Sequence, residues 1–443
     1  MRIQLSDHFT YRKLLRFTLP SIVMMVFTSI YGVVDGLFVS NFVGKGPFTA
    51  VNLVMPVVMI FGGLGFMFGT GGSALVAMTL GQGRKDQANR YFTMIVIATV
   101  GTGVVISALG AAFMRPICHW LRADAEIIDD CVLYGRILMG FNTAYMLQNV
   151  FQSFLITAEK PKLGLAATIA AGVTNMALDA LFIAGFGWGV AGAAVATGLS
   201  QCVGGLFPLL YFLRPNNSLL RLRPAKLQLR PILKSCGNGA SEVVSSVTSS
   251  IIGMVYNFQL LRFAGKDGVA AYGVLMYTEF IFVAVFIGYA IGSAPVIGYH
   301  YGAENTGELK SLLRKSVTLN LGSGIVMLGI AQALATTLAH LFVGYDPALF
   351  SMTVHGFRIF TVAFVLLGLN IFFSSFFTAL NNGVVSAAIS FLRTFVFKLS
   401  AVLVLPLLFK LDGIWWATVV AEVFAFLVSG VFLLTNRRKY GYF

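Results

Sequence analysis

Four polar side chains lie within otherwise apolar stretches of the sequence, and their oxygen atoms suit the binding of a small cation. Asp35 lies in TSIYGVVDGLFVSNFVG, Asn175 and Asp179 lie four residues apart in AGVTNMALDALFIAG, and Thr197 lies in AGAAVATGLSQ. Residues four apart project from one face of a helix. Two carboxylates, an amide oxygen and a hydroxyl are ligands for a hard cation or a proton rather than for zinc or copper.

The two carboxylates also have an ordinary interpretation. Neither Asp35 nor Asp179 has a basic partner within its own apolar stretch. At membrane depth an ionisable group costs about 2.5–3.5 kcal/mol on the insertion scale, which makes each one a candidate for function. If the ion is a proton, the two acids would titrate as a coupled pair. In the alternative interpretation they are protonated hydrogen-bonding groups of the fold, or they lie near the end of a span.

The composition indicates that these apolar stretches cross a membrane. Of the 443 residues, 57% are hydrophobic and 11% are charged, and the mean hydropathy is +0.83. A soluble fold of this size could not cover its surface with so few charges. The 40 Phe and 47 Gly are typical of helices that face lipid and pack closely. The sequence therefore predicts an all-α integral membrane protein and excludes a soluble enzyme.

Twelve stretches are long and apolar enough to cross the bilayer, which takes about 20 residues each. We expect two six-helix lobes: residues 1–213 with spans 1–6, and residues 235–443 with spans 7–12, joined by a cytoplasmic linker at 214–234. The predicted spans are 14–40, 50–80, 91–113, 132–157, 163–184, 189–213, 235–263, 270–299, 312–341, 356–380, 385–408 and 413–434.

An internal repeat is the reason for predicting two lobes. At a fixed offset of 221, nine identities fall within residues 42–81 without a gap, among them Gly44 with Gly265 and Gly81 with Gly302. Repeats of six spans share one topology and are related by a pseudo-two-fold axis along the membrane normal. In transporters built from such parallel repeats, the substrate site lies between the halves and access alternates by rocking. The architecture therefore favours a secondary transporter.

The distribution of basic residues indicates the orientation. If the N-terminus is cytoplasmic, the segments on that side carry 21 of the 31 Lys and Arg, against 5 on the opposite side. By the positive-inside rule, both termini are then cytoplasmic. The formal net charge of +14 is thereby explained mostly as an orientation signal, and no nucleic-acid partner is expected.

The second lobe does not repeat the acidic residues of the first, because at the offset of 221 Asp35 meets Tyr256. It has other ionisable residues at membrane depth. Arg393 and Lys398 could neutralise an acid across helices, and Glu242 is expected near the cytoplasmic end of span 7 in a solvated or capping role. The acid that these two basic residues could neutralise is Glu279 or Glu422, and the secondary candidates are Glu242, Glu279, Arg393 and Lys398. We expect the ion chemistry to lie mainly in the first lobe.

Motifs for other chemistry do not occur in the sequence. It has no GxxxxGK[ST] nucleotide-binding motif, so transport driven by ATP would need a separate subunit. It has no HExxH, GxSxG or His cluster of a membrane-embedded enzyme. We therefore expect a protein that is not an enzyme and that has no cofactor.

Several longer segments resemble a known family over essentially the whole chain. They are VDGLFVSNFVG, LGQGR, FQSFLITAEKPKLG, IGYAIGSAPVIGYHYGA and GLNIFFSSFFTALNN. The chain is similar to the multidrug and toxic compound extrusion family, within it to the DinF-like and MepA-like bacterial branch. This resemblance implies an antiporter of the bacterial cytoplasmic membrane. Such an antiporter expels cationic or amphiphilic compounds in exchange for H⁺ or Na⁺ by alternating access.

The resemblance also implies roles for particular residues. It places the bending point of the first helix at Pro20. Span 10 has no Asp or Glu, so the second-lobe sodium site of another branch is not expected. The implied first-lobe site for Na⁺ or a proton consists of Asp35, Asn175, Asp179, Thr197 and the backbone carbonyl of Ala193.

One alternative function shares the same fold. A lipid-linked oligosaccharide flippase of the same superfamily would need a cationic central cavity able to hold a pyrophosphate. The deep basic residues are few, chiefly Arg393 and Lys398, which favours the antiporter. The expected partners are small amphiphilic or cationic organic compounds and the lipid bilayer, with the protein acting as a monomer.

Overall fold

The computed structural model describes residues 3–443, apart from the side chains of Leu37, Ser40 and Lys45. Arg2, one of the basic residues behind the predicted orientation, lies outside the described residues. Within the described part of the chain every regular element is a helix. Short stretches at Ala180–Gly185 and Leu392–Phe397 are π-helical, and Thr361–Ala363 is a 3₁₀ turn.

The twelve predicted spans are present. Among the residues that the structure describes, nine continuous helical stretches are long and apolar enough to cross a membrane. Two of them, Leu229–Gly302 and Gly383–Tyr440, each contain two spans. Ile128–Thr157 is long enough but more polar, and it supplies the twelfth. The prediction of an all-α, twelve-span fold is confirmed. Spans 1–12 are Tyr11–Phe42, Lys45–Gly81, Lys85–Ala112, Ile128–Thr157, Pro161–Gly185, Gly189–Leu213, 229–264, 266–302, Thr306–Val343, Pro347–Ala379, 383–409 and 411–440.

Side-chain caps and prolines set several helix starts. Thr10 and Asn305 each accept a hydrogen bond from the backbone N–H three residues further on, at the starts of spans 1 and 9. Pro161 and Pro347 lie in the first turns of spans 5 and 10, where a missing N–H removes no helical hydrogen bond. These capping residues and prolines set where individual spans begin in an otherwise apolar chain.

Two pairs of spans are joined by single residues rather than by loops. Gly265 separates spans 7 and 8 with φ 63°, and Lys410 separates spans 11 and 12 with φ 52°. The breaks predicted at 264–269 and 409–412 are present, but each is shorter than predicted. A positive φ is readily adopted by glycine, but a side chain such as that of Lys410 makes it unfavourable, so the sequence did not predict that the second break is a single-residue turn.

The linker between the lobes is non-helical only over residues 214–228. Its backbone N–H groups at Arg221 and Arg223 donate to Asn89 Oδ1 (2.8 Å) and Thr93 Oγ1 (2.9 Å) of span 3. The segment is therefore attached to the first lobe along part of its length. The predicted linker was too long at its C-terminal end, because the helix of span 7 already begins at residue 229.

Glycines bring the two lobes into backbone contact at the ends of the spans nearest the linker. A Cβ on Gly71 would lie 2.1 Å from the Ser235 carbonyl oxygen, and one on Gly302 would lie 2.0 Å from the Met78 carbonyl oxygen. Small residues permit this close approach of helices in a membrane. We call this contact the inter-lobe seam; it consists of residues 67–81 of span 2, 235–239 of span 7 and 298–302 of span 8.

The N-terminal segment connects both lobes on the same side of the molecule. The Leu5 N–H donates to Glu159 Oε1 (2.9 Å), in the turn between spans 4 and 5. The Phe9 N–H donates to Glu308 Oε1 (2.9 Å), and His8 Nδ1 lies 2.6 Å from Glu308 Oε2, at the start of span 9. Hydrogen bonds to each lobe therefore reinforce the inter-lobe seam.

Candidate cation-binding site

Asp35 and Asp179 come from spans 1 and 5, which pack against each other. Asp35 is 7% exposed and Asp179 is fully buried. The two helices approach closely at Gly172, where a Cβ would lie 2.5 Å from the ring of Phe27. The two carboxyl groups lie within hydrogen-bond reach of each other. The structure thus brings together two acids that are 144 positions apart in the sequence.

This acid pair has few donors around it. Oδ1 of Asp35 and both carboxyl oxygens of Asp179 accept no hydrogen bond from the residues that the structure describes. Among those residues, Asp35 is the only charged group that interacts electrostatically with Asp179. Two carboxylates in contact cannot both remain ionised in a poorly solvated site without a counter-charge. The arrangement therefore requires a shared proton or a cation.

Asn175 and Thr197 complete the cluster. Asn175 is 1% exposed, faces Asp35, and lies with Nδ2 3.5 Å from Thr197 Oγ1. Its Oδ1 accepts no hydrogen bond from the described residues. Thr197 is half-buried, and Ala193 is buried one turn before it. The four predicted side chains thus meet where spans 1, 5 and 6 converge, and their role as cation ligands stays a prediction, as does that of the Ala193 carbonyl.

Span 5 changes from α-helix to π-helix directly after Asp179, at Ala180. A π-turn accommodates one extra residue, leaves the α-helical hydrogen-bond pattern and occurs frequently at functional sites. Here it ends at Gly185, before the tight turn into span 6. The π-helical stretch was not predicted, because no residue pattern distinguishes it from an apolar α-helix.

Pro20 lies within span 1, whose helix continues unbroken from Tyr11 to Phe42. It is fifteen residues from Asp35, about 22 Å along the helix axis. Next to it, Ile22 packs against Gly288 of span 8, where a Cβ would lie 2.5 Å from the Ile22 Cα. The proline is therefore close to the contact between the lobes, and its role as a bending point stays a prediction.

The second lobe contains a buried ion pair. Arg393 Nε donates to both oxygens of Glu422, at 2.9 and 3.0 Å. Asn370 Nδ2 donates to Glu422 Oε2 (2.7 Å) and to its backbone carbonyl (2.9 Å). The sequence left open which acid Arg393 neutralises, and the structure identifies Glu422. Asn370 was missed; its signal was a lone amide in the apolar part of span 10.

Glu279 and Lys398 lie beside this ion pair. Glu279 is half-buried, and the charged groups that act on it are Lys398, Glu422 and Arg393. Lys398 places its Nζ 5.8 Å from the centre of the Tyr256 ring. The secondary candidates of spans 8, 11 and 12 are thus neighbours in space.

Glu242 is separate from them, and the expectation for it is wrong. Span 7 begins at Leu229, so Glu242 is thirteen residues inside the helix instead of near its end. A capping role would require a position in the first turn. The carboxyl group is half-buried, and no charged residue of the described chain is among the groups that act on it.

Comparison with protein-family models and curated proteins gives one consistent family. The MatE family model matches the chain twice, at residues 20–181 and 243–403. The multidrug export protein MepA of Staphylococcus saprophyticus is 24% identical over 438 residues, covering 96% of this chain and 94% of that protein. MepA of Staphylococcus aureus strain MRSA252 is 23% identical over 436 residues, with the same coverage.

Comparison with solved structures gives the same fold. An outward-facing multidrug resistance MATE family transporter of the MOP superfamily superposes with a TM-score of 0.92 at 22% identity, covering 98% of this chain and 97% of that one. A MOP superfamily transporter from Pyrococcus furiosus, described as having reverse polarity of its binding pocket, gives 0.89 at 22% identity and covers 97% and 96%.

Proposed function

Because the chain belongs to the MatE family, we propose that it is a secondary-active antiporter that exports cationic and amphiphilic organic compounds in exchange for H⁺ or Na⁺. The names of the relatives, multidrug export proteins, support the substrate class. The buried acid pair of Asp35 and Asp179 carries the proposal for coupling, because it needs a positive partner that the surrounding side chains do not supply.

We infer the following placement for this multi-pass membrane protein. The first lobe is residues 1–213, and the second, predicted from 235, begins with the helix at residue 229 and runs to 443; the two family matches support this division. Both termini face the cytoplasm and the protein lies in a bacterial cytoplasmic membrane, as the excess of basic residues on that side favours. The protein acts as a monomer, since the candidate site is made of three helices of one lobe.

In this orientation the inter-lobe seam lies on the cytoplasmic side. The backbone contacts of Gly71 and Gly302, together with the N-terminal segment, hold the cytoplasmic ends of the lobes together. The arrangement then corresponds to an outward-facing state. Inward opening would have to separate these contacts and break the hydrogen bonds to Glu159 or Glu308.

The proposed cycle uses the acid pair as the point where the coupling ion and the substrate exclude each other. In the outward state an external cation binds at Asp35 and Asp179 and neutralises the pair, which weakens the attraction for a cationic substrate and favours its release. After rocking, the ion leaves to the cytoplasm and the ionised pair attracts the next substrate. One charge moving down the membrane potential contributes about 2.3 kcal/mol per 100 mV, offset by any charge on the exported compound.

The arrangement of the basic residues disfavours the flippase. A cavity for pyrophosphate would need unpaired cations, but Arg393 is bound to Glu422, and the charge of Lys398 acts on Glu279 while its ammonium contacts the Tyr256 ring. The first lobe contributes acids at the same depth. A cavity of this charge pattern suits a cation better than a phosphate.

The proposal is tested by efflux of a fluorescent organic cation from proteoliposomes, with the Na⁺ and proton gradients imposed separately. We expect one of the two gradients to drive efflux in the wild type, and Asp35→Asn and Asp179→Asn each to abolish that dependence. Tyr256→Phe is the control at the repeat-related position and should keep it. Transport that is unaltered in both aspartate variants would overturn the assignment.

A further inference from the structure

The internal repeat gives the candidate cation site a counterpart in the second lobe. Residues 192–197 read GAAVAT and residues 413–418 read GIWWAT, so that Thr197 and Thr418 correspond at the offset of 221. At the same offset Asp35 corresponds to Tyr256. At this counterpart position the threonine hydroxyl is therefore kept, and the carboxylate of the first lobe is replaced by a phenol.

This counterpart is filled by a neutral hydrogen bond. The Tyr256 hydroxyl lies 2.7 Å from Thr418 Oγ1, and both residues are fully buried. The Tyr256 ring stacks on that of Tyr272, with centroids 4.9 Å apart and planes at 3°. Two rings and a satisfied hydroxyl occupy the space in which the first lobe has oxygen atoms without donors.

The second lobe has no carboxylate where the first lobe has its second acid: at the offset of 221 Asp179 corresponds to Ser400, and Lys398 lies two residues before it. The segment of span 11 that corresponds to Asn175–Asp179 falls within residues 396–401, which read VFKLSA and contain no carboxylate. Lys398 in this segment places its ammonium 5.8 Å from the Tyr256 ring centre, within the range of a cation–π contact. The neighbouring cation, Arg393, is already bound by Glu422.

Among the described residues whose charges act on Glu279, Lys398 is the cation that is not bound to another acid. The charged groups that act on Glu279 are Lys398, Glu422 and Arg393, of which the last two neutralise each other. Glu279 is half-buried on span 8. Lys398 and Glu279 form none of the direct ion pairs of the described chain, so the lysine balances the charge of this carboxylate at longer range, without an ion from solution.

We propose that Lys398 is a covalently held cation at the second-lobe counterpart of the cation site, where it balances Glu279 in place of a transported ion. This inference rests on the proposed antiport function, which it deepens. It assigns the coupling ion to the first lobe alone. It also makes Lys398 a specificity-determining residue, because the second lobe then offers no free carboxylate of this group to a second positive charge on a substrate.

The first test counts the cations bound to the full-length protein in detergent, using ²²Na⁺ for Na⁺ and back-titration for protons. The background is Asp35→Asn with Asp179→Asn, so that the first-lobe site contributes nothing. In that background we expect Lys398→Met to bind one more cation per protein, and added Glu279→Gln to remove that gain. Lys398→Arg keeps the positive charge and, in the same background, should bind no additional cation. No gain in the folded Lys398→Met protein overturns the proposal.

A second variant keeps the proposal testable if the loss of Lys398 prevents folding. Glu279→Gln in the otherwise wild-type protein should leave the number of bound cations unchanged, because no solution ion balances Glu279. The loss of one cation in this variant would show that Glu279 binds an ion, and would overturn the proposal. If the proposed antiport function is wrong, the wild-type protein will show no gradient-driven efflux in proteoliposomes, which is a different measurement from cation binding.

Substrate selection gives an independent readout in proteoliposomes. Lys398→Met should raise the efflux of a dicationic compound relative to a monocationic one about tenfold, the size of one charge interaction in a partly buried site. Lys398→Arg should leave the ratio unchanged. An unchanged ratio in Lys398→Met would contradict the role in specificity.

Discussion

The two lobes arrange corresponding helices around opposite distributions of charge. In the first lobe, Asp35 and Asp179 face each other, and no basic side chain of the described chain is among the groups that act on them. In the second lobe, Glu422 is bound by Arg393 and Glu279 has Lys398 nearby. In our proposal the first lobe therefore takes its positive charge from solution, whereas the second lobe supplies it from its own basic residues.

The contrast between the lobes shows how a buried charge that stabilises the fold can be told from one kept for function. A buried acid with a hydrogen-bonded basic partner is a satisfied element of the fold, and its loss harms stability. A buried acid facing only another acid gains nothing for stability from its charge, so function is the reason to keep it. The same scaffold thus separates a structural use of charge from a proposed transport use.

The largest effect is expected when the second-lobe ion pair is broken. Glu422→Gln leaves the Arg393 guanidinium without its carboxylate in a site that exposes only 16% of that side chain. Removing one partner of a buried pair costs about 3–5 kcal/mol. We expect a marked fall in the melting temperature of the purified protein, measured by thermal unfolding in detergent.

The matched change in the first lobe should behave differently. Asp179→Asn removes one of two like charges and keeps the shape of the side chain, so its melting temperature should equal or exceed that of the wild type. Replacing both members of the pair, as Arg393→Met with Glu422→Met, should recover most of the stability lost in Glu422→Gln. Equal destabilisation by Glu422→Gln and Asp179→Asn would remove the distinction between the lobes.

An intermediate effect is expected on cation binding in the first lobe. A charged hydrogen-bonding partner contributes about 1.5–3 kcal/mol, so Asp35→Asn or Asp179→Asn alone should weaken cation affinity roughly tenfold to hundredfold. Because both carboxyls are proposed to bind one ion, their effects should not add in the double variant. Additive losses in equilibrium binding would indicate two independent sites instead.

The sequence predicted the spans and the acids well for physical reasons. Span length and hydropathy reflect the thickness of the bilayer, and a carboxylate such as Asp179 is conspicuous in an apolar stretch. The repeat at a fixed offset could likewise be recognised from the sequence, and it predicted two lobes. These signals are local or periodic, and need no knowledge of side-chain contacts.

What the sequence missed depends on contacts between distant helices. Arg393 pairs with Glu422 instead of Glu279, and this pairing depends on how spans 8, 11 and 12 pack. The break near Lys410 was predicted as a loop of four residues, and its form as a turn at one lysine was missed because a lysine rarely adopts a positive φ. The misplacement of Glu242 came from a helix start set six residues too late, since the polar residues of 229–234 were assigned to the linker although they begin span 7.

The smallest effect is expected at the two repeat-related threonines, and it is the most direct comparison of the lobes. Thr197→Val and Thr418→Val replace a hydroxyl by a methyl group of similar size. In the first lobe this removes one neutral ligand, which we expect to weaken cation binding about fivefold, the equivalent of about 1 kcal/mol. In the second lobe it leaves the buried Tyr256 hydroxyl without its 2.7 Å partner. We expect a loss of about 1 kcal/mol of stability there, with cation affinity unchanged.

Two quantities are measured on the same samples: cation affinity by equilibrium binding, and the melting temperature. Thr197→Val should therefore lower the cation affinity, and Thr418→Val should lower the melting temperature. Tyr256→Phe is the control, because in combination with Thr418→Val it removes both hydroxyls and should cost less than Thr418→Val alone. A fall in cation affinity in Thr418→Val would show that the second-lobe position contributes to ion binding. A fall in stability alone in Thr197→Val would assign the first-lobe hydroxyl to the fold, and the cation site would then have to rest on the two carboxyls and Asn175.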